Sequence, residues 1–167
     1  MSEFITDRLI IRQWTAADFQ YFKNYFSNKK TARYVGGVKT PEEAWRLMAA
    51  YIGHFQLKGF GYLAVEEKTT KQFVGCVGLW DSEPWLELEL GYWILEEMQG
   101  KGYATEAAYR MKDFAFNNLK VDTLVSYIDP GNMPSIKLAE RLGGVFDEKI
   151  DLLDFGEHCV YRYSKNS

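Results

Sequence analysis

Apolar positions recur along this chain with two periods. A dense apolar run, Arg8-Leu9-Ile10-Ile11-Arg12-Gln13-Trp14, predicts a first strand. Thr15-Ala16-Ala17-Asp18 resembles a capping box with Asp in place of Glu, and Phe19, Phe22, Tyr25 and Phe26 follow at helical spacing. Residues 33–39 contain Gly36-Gly37 and read as a loop. Thr40-Pro41-Glu42-Glu43 supplies a cap, a proline at the first helical position and an acid three residues after the cap. Ala44, Leu47, Met48, Tyr51 and Phe55 form the stripe of that second helix, and Gly59 ends it. The aromatics Phe19, Phe22, Tyr25, Phe26, Trp45, Tyr51 and Phe55 are mostly core by spacing.

Three strands follow, over 61–67, 73–80 and 85–95, joined by polar turns at 68–71 and 81–84. Connections this short imply antiparallel neighbours. A helix is expected over 104–117, with Ala104, Ala107, Ala108, Met111 and Ala115 on one face, small enough to let it lie close to a sheet. The next strand, 123–128, should run parallel to 85–95, because a strand, a long helix and a strand make a crossover unit. Asn132 caps a last helix that Gly143-Gly144 stops, and 145–153 with 155–163 form a closing hairpin. The fold class is therefore α/β, an α+β mixed sheet, mostly antiparallel, of about seven strands with helices on both faces. One domain over 1–167 is the simplest organisation for this length.

The most informative segment is Gln99-Gly100-Lys101-Gly102-Tyr103-Ala104, between a strand and a helix. A glycine-rich turn feeding a helix start aims unpaired N–H groups in one direction, and the helix dipole adds positive charge there. That combination suits a phosphate or diphosphate. Gly100 and Gly102 permit positive φ and close approach, and Lys101 adds charge nearby. The segment lacks the G-x-G-x-x-G turn of a dinucleotide fold and the lysine of a P-loop.

Composition narrows the classes. Hydrophobic residues make up 47% of the chain, which argues against disorder. The net charge of −3 gives little bulk attraction to nucleic acid, so an anion site must be local. No apolar stretch is long enough to span a bilayer, and Met1-Ser2-Glu3-Phe4 lacks a basic segment followed by an apolar one, so a signal peptide is not expected. With only Cys76 and Cys159, a disulfide framework is not expected and a reducing cytoplasm is the default. His54 and His158 show no metal-ligand spacing, so no metal is expected.

The order of elements, with Gln99-x-x-Gly102-x-Ala104 after the fourth strand, resembles the GNAT N-acetyltransferase superfamily. Thr6-Asp7-Arg8-Leu9-Ile10-Ile11-Arg12, Glu89-Leu90-Gly91-Tyr92-Trp93-Ile94, Gly100 to Ala107, and Asn132-x-x-Ser135 followed by Leu142-Gly143 are similar to its RimJ/RimL-like branch, the ribosomal-protein N-terminal acetyltransferases. These matches span residues 6 to about 146. The resemblance implies acetyl-CoA as acyl donor and an amine as acceptor. The acceptor is a protein N-terminal α-amine or a small polyamine, amino sugar or amino acid.

Residue roles follow from the resemblance. Backbone N–H groups from Gln99 through Gly100, Lys101, Gly102 and Tyr103 to Ala104 would take the diphosphate. The fourth strand would splay from the fifth at a bulge and expose backbone around Trp93, Ile94 and Leu95. The pantetheine amides would pair there, and one N–H would face the thioester oxygen. An alkylammonium, with a pKa near ~10.4, must lose a proton before it attacks. Strand alternation puts Glu87 and Glu89 on one face; Glu89 is the first candidate base and Glu87 the second, the latter also facing the acceptor. Many relatives protonate the leaving thiolate with a tyrosine four residues after the Asn-x-x-Ser serine, but this chain has Ala139 there. Ser135 is the nearest donor, and Asn132 contacts the coenzyme or only caps. Arg33 and Tyr34 would contact the acceptor. The acids Asp81, Glu83, Glu87, Glu89, Asp151 and Asp154 lie where a cationic acceptor would enter. Cys76 reads as a buried strand residue, which leaves direct attack in a ternary complex. The rival from another class is a non-catalytic acyl-CoA-binding module. A monomer or a homodimer fits equally, since the closing strands could pair between subunits.

Overall fold

Two short elements escaped the periodicity argument. The computed structural model describes residues 3–166, so Met1, Ser2 and Ser167, which belong to the one-domain and leader expectations, lie outside the described residues. Strand β1 (Phe4–Ile5) is only two residues long, too short for any alternation to show, and it pairs antiparallel with β2 (Leu9–Arg12). Helix α2 (Lys29–Ala32) is one turn capped by Asn28, whose side chain accepts the N–H of Lys30 at 2.8 Å. The sheet therefore has eight strands rather than seven.

The remaining elements are α1 (Phe19–Ser27), α3 (Pro41–Lys58), β3 (Tyr62–Glu67), β4 (Phe73–Trp80), β5 (Glu89–Ile94), α4 (Tyr103–Asn117), β6 (Leu124–Ile128), α5 (Met133–Arg141), β7 (Val145–Asp151) and β8 (Glu157–Tyr163). The capping box of α3 forms: Thr40 Oγ1 accepts the Glu43 N–H at 3.1 Å, and Glu43 accepts the Thr40 N–H at 2.9 Å. In the earlier box Asp18 takes the place of Glu and accepts the Thr15 N–H at 2.8 Å. It also binds Arg12 through both guanidinium ends.

Spatial strand order is β1-β2-β3-β4-β5-β6-β8-β7, antiparallel except for the β5–β6 pair. Adjacent strand residues point to opposite faces, and β5 shows what covers each. Trp93 packs into α1, stacked on Tyr25 at 4.3 Å and edge-on to Phe22 and Phe26. Its neighbour Tyr92 meets Ser135 at the start of α5 on the other face. Helix α4 lies on β4 and β5 with Ala107, Ala108, Met111 and Ala115 buried, as the small-residue stripe predicted. One spacing-based core assignment is wrong: Trp45 is 54% exposed and only lends its ring to the edge of Phe19.

Candidate active site

Strands β5 and β6 share one bridge, Glu89 opposite Val125, where the Val125 N–H donates to Leu88 O at 3.2 Å. Beyond it they diverge, because β6 continues its ladder with β8 instead. Side chains fill the vertex. Ser126 Oγ donates to Leu90 O at 2.7 Å, and the Tyr127 N–H donates to Glu89 Oε2 at 3.0 Å. Which backbone groups face the opening follows from alternation. The Leu95 N–H donates to Val74 O of β4, so residues 91, 93 and 95 turn toward β4, and Tyr92 and Ile94 turn toward the gap. Of the expected trio only Ile94 turns its backbone to the gap, with its N–H open and its carbonyl accepting Gln99 Nε2. Trp93 and Leu95 are committed to β4, and Tyr92 takes their place.

The glycine-rich turn closes one side of this gap. Gln99 Nε2 donates to Ile94 O at 3.1 Å and so ties the turn to the end of β5. Gly100 and Gly102 have φ of +77° and +81°, and α4 starts at Tyr103. The turn is braced from behind by a segment a hundred residues away in sequence. Arg8 donates to Glu106 Oε1 and to Lys101 O, both at 2.8 Å, and lies 4.6 Å over the Tyr103 ring. Glu106 also accepts from the Arg8 N–H and from Thr6 Oγ1. It is thus a structural anchor at a helix start, where an acid is favoured.

A cavity of about 620 Å³ opens on the turn, lined by Ile94, Gln99, Gly100, Gly102, Tyr103 and Ala104. Lys30, Arg33 and Arg141 bring cations to the same wall. Two expectations are corrected here. Lys101 does not line the cavity; its side chain is exposed and only its carbonyl is engaged. Arg33 lies on the turn's side and not on the acceptor side. Lys30 is paired with Glu96 of the same wall at 3.0 Å; free N–H groups at a helix start, two glycines without Cβ and the guanidiniums of Arg33 and Arg141 fit a diphosphate.

On the opposite side lies a cavity of about 350 Å³, walled largely by rings, among them Tyr51, Tyr62, Trp80, Trp85 and Phe155. Glu89 is set into its wall, 8% exposed, and accepts Trp85 Nε1 at 3.0 Å besides the Tyr127 N–H. Burial outweighs those two hydrogen bonds and pushes its carboxyl up to about 7. A carboxyl in that range is ionised enough to accept a proton near neutral pH and basic enough to hold it. Gly91 leaves room for Tyr62, since a Cβ there would sit 2.2 Å from the Tyr62 oxygen.

Glu87 is placed elsewhere. The register sets Trp80 opposite Glu89, so 81–88 is a connecting loop and not the start of a strand. A turn closed by the Trp85 N–H on Ser82 O begins that loop, and strand alternation cannot be carried back through it. Arg162 grips Glu87 with two hydrogen bonds, 2.9 and 3.1 Å, and Glu87 lines neither cavity. Of the other expected acids, Glu83 lines the ring-walled cavity, whereas Asp81 is held by His54 and Lys58. Asp129, not singled out in the sequence, joins Glu83 there.

The two cavities share a wall made by Tyr34, Val35, Tyr92, Trp93, Asn132 and Ser135. Tyr34 donates to Gly131 O at 3.2 Å, and Arg33 donates to the Tyr34 oxygen. Asn132 caps α5 by accepting the Ser135 N–H at 3.4 Å. Ser135 Oγ and Tyr92 Oη lie 2.6 Å apart. Sequence reasoning missed Tyr92, because three residues from Glu89 it falls on the opposite strand face and only the fold brings it to Ser135. Cys76 is fully buried with its thiol pushed up by desolvation, and neither cysteine lines a cavity.

Comparison with known proteins agrees with this architecture. Residues 8–145 match the family described as Acetyltransferase (GNAT) domain. The chain is 32% identical to the crystal structure of an acetyltransferase from Agrobacterium tumefaciens, with a TM-score of 0.91 over 99% of this chain and 95% of that one. It is 27% identical to the uncharacterised N-acetyltransferase YoaA of Bacillus subtilis, over 83% of this chain and 80% of that protein. At 20% identity it shares the fold of spermidine N-acetyltransferase from Vibrio cholerae in complex with CoA and spermine, with a TM-score of 0.78 over 96% and 98% of the two chains. Members of this family draw the acetyl group from acetyl-CoA. The chain belongs to the GNAT acetyltransferase family and is an acyltransferase.

Proposed function

We propose that residues 1–167 act as a single acetyltransferase domain that moves an acetyl group from acetyl-CoA to the α-amine of a protein N-terminus. One observation carries this reading: Glu89, a buried carboxylate in the wall of one cavity, begins the strand whose far end leads into the phosphate-type turn that lines the other. The diphosphate lies on the N–H groups of Gly100 to Ala104, since the Gln99 N–H donates to Glu96 O at 3.2 Å, and the pantetheine arm pairs with the backbone of Tyr92 and the N–H of Ile94. The amine enters the ring-walled cavity and gives its proton to Glu89 directly or through water. Ser135 and Asn132 stand beside the reacting thioester, with Tyr34 at the junction.

Proton affinity supports an α-amine as the acceptor class. Glu89 holds its proton at about 7. An alkylammonium near ~10.4 lies about 3 units higher, roughly 4 kcal/mol uphill, whereas an α-ammonium near ~7.7–8.0 lies about one unit higher. The resemblance to ribosomal-protein acetyltransferases favours a polypeptide as bearer of that α-amine. A cytoplasmic protein, monomeric or homodimeric, is consistent with such a substrate.

The test is acetyl transfer measured over four acceptors: a peptide with a free N-terminus, the same peptide blocked at its N-terminus but carrying lysine, a polyamine and an amino sugar. The free peptide is expected to be turned over fastest. Preference for the polyamine or the amino sugar would replace the acceptor. Tight coenzyme binding with no turnover of any amine would make the protein a binding module.

A further inference from the structure

Departure of the coenzyme's sulfur leaves a negative charge that something must receive, and Ala139 supplies no hydroxyl. We propose that Tyr92 and Ser135 form a paired-hydroxyl site for the departing sulfur, with Ser135 touching it and Tyr92 positioning Ser135. The inference rests on the acetyl-transfer reading above and assigns a role to Tyr92 that neither the motif nor the helix supplies.

Three observations carry it. The two oxygens are 2.6 Å apart, a strong hydroxyl–hydroxyl bond. Both residues line both cavities, so the pair stands where the two substrates meet. Among the described residues neither hydroxyl has another hydrogen-bond partner. Two hydroxyls hold two hydrogens, and their mutual bond uses one. With Tyr92 donating to Ser135, the Ser135 hydrogen is turned outward, and a polarised chain of this kind donates more strongly than a lone serine.

Proton affinities decide what the pair does. Burial raises the Tyr92 phenol above its ordinary ~10, while a thiol such as the coenzyme's loses its proton near ~8.5. Handing a proton from phenol to thiolate runs uphill, so the pair gives a hydrogen bond and keeps its protons. The balance is then complete. The ammonium gives one proton to Glu89, which passes it to solvent; the free amine nitrogen then bonds to the thioester carbon, the C–S bond breaks with its electron pair on sulfur, and the nitrogen's second surplus proton passes to Glu89. Sulfur leaves as the thiolate under the Ser135 hydrogen and is protonated by solvent, which also takes the proton from Glu89.

The test measures binding as well as rate. Coenzyme A and its desulfo analogue are titrated calorimetrically into the wild type, Tyr92→Phe, Ser135→Ala and Ser135→Thr between pH 6.5 and 9.5. In the wild type the affinity for coenzyme A should gain on that for the analogue by about tenfold as the thiol ionises, the worth of a hydrogen bond to a charged group. Tyr92→Phe and Ser135→Ala should lose that gain while binding the analogue normally, and Ser135→Thr should keep it. With acetyl-CoA, kcat of Tyr92→Phe should fall about 10- to 100-fold at unchanged KM for the thioester. The same pH gain in all four proteins overturns the pair alone. Failure of the wild type to bind either compound overturns the acetyl-transfer reading and the pair with it.

Discussion

Arg8 donates from Nη1 to the carbonyl oxygen of Lys101 at 2.8 Å, so a side chain next to the second strand sets the shape of a turn ninety-three residues further on. The same guanidinium pairs with Glu106. Arg8→Ala should leave the fold intact and weaken coenzyme binding by about tenfold, the scale of one charged hydrogen bond. Arg8→Lys should recover little, because an ammonium cannot span both acceptors as the planar fork does. Calorimetry with coenzyme A reads both variants.

Gly102 sits at φ +81°, where a β-branched residue is strained, and its Cβ would lie 3.3 Å from Arg8 Nη2. Gly102→Val should raise the coenzyme Kd by about tenfold or more, from a left-handed penalty of about 1–2 kcal/mol and the displaced guanidinium. Unchanged affinity with a folded far-UV spectrum would sink the phosphate-cradle assignment.

Glu89 predicts two opposite pH responses. In the proposed mechanism its ionised form is the base, so kcat/KM should rise with pH through about 7. Glu89→Gln should lose that limb and slow the reaction by about 10²–10⁴-fold. Stability runs the other way. The folded carboxyl holds its proton to about 7, against 4.5 when unfolded, so the folded state binds more protons between those values. Stability from this group therefore falls as pH rises from 4.5 to about 7, by about 3 kcal/mol. Urea melts at pH 5 and pH 8 should show the wild type losing ground to the variant by that amount.

Gly91 and Tyr62 are coupled sterically. An alanine at 91 places its methyl 2.2 Å from the phenol oxygen and 3.0 Å from two ring carbons, while Tyr62 is stacked against Trp80. Gly91→Ala should cost about 1–3 kcal/mol, as overpacking does. Adding Tyr62→Phe removes the nearest atom and should return part of that loss, a coupling visible in a double-mutant cycle. Strict additivity would show that the crowding is relieved elsewhere.

Glu87→Gln should leave kcat/KM within about twofold, because this carboxylate serves Arg162 outside both cavities. The cost should be a modest loss of stability, about 1 kcal/mol or less for a partly exposed pair. A pH–rate profile altered as strongly as that of Glu89→Gln would reverse the ranking of the two acids.

Local signals made most of the scaffold legible. The Thr40 box fixed the start of α3, Asn132 the start of α5, and paired glycines the turn before α4, because each needs only residues within a few positions. The parallel β5–β6 pair followed from connection chemistry. What stayed hidden depends on partners far apart in the chain. Residues 85–88 look like a strand, yet Leu86 is exposed and the register with β4 leaves them in a loop. That misplacement put Glu87 on the face of Glu89. Lys101 attracted attention by its charge, whereas the cations on the coenzyme wall come from Lys30, Arg33 and Arg141 on other helices and loops. Tyr92 lay inside a quoted motif, but only the fold brings it to Ser135.

The carboxylate of Glu89 holds the Tyr127 N–H at the point where β5 and β6 lose their ladder. Under the proposed mechanism one group is therefore both rivet and reagent. Stripping away its donors to make it more basic would also loosen the hinge that sets the width of the reaction cleft. Reactivity and aperture are welded together here, so selection acting on either must move both.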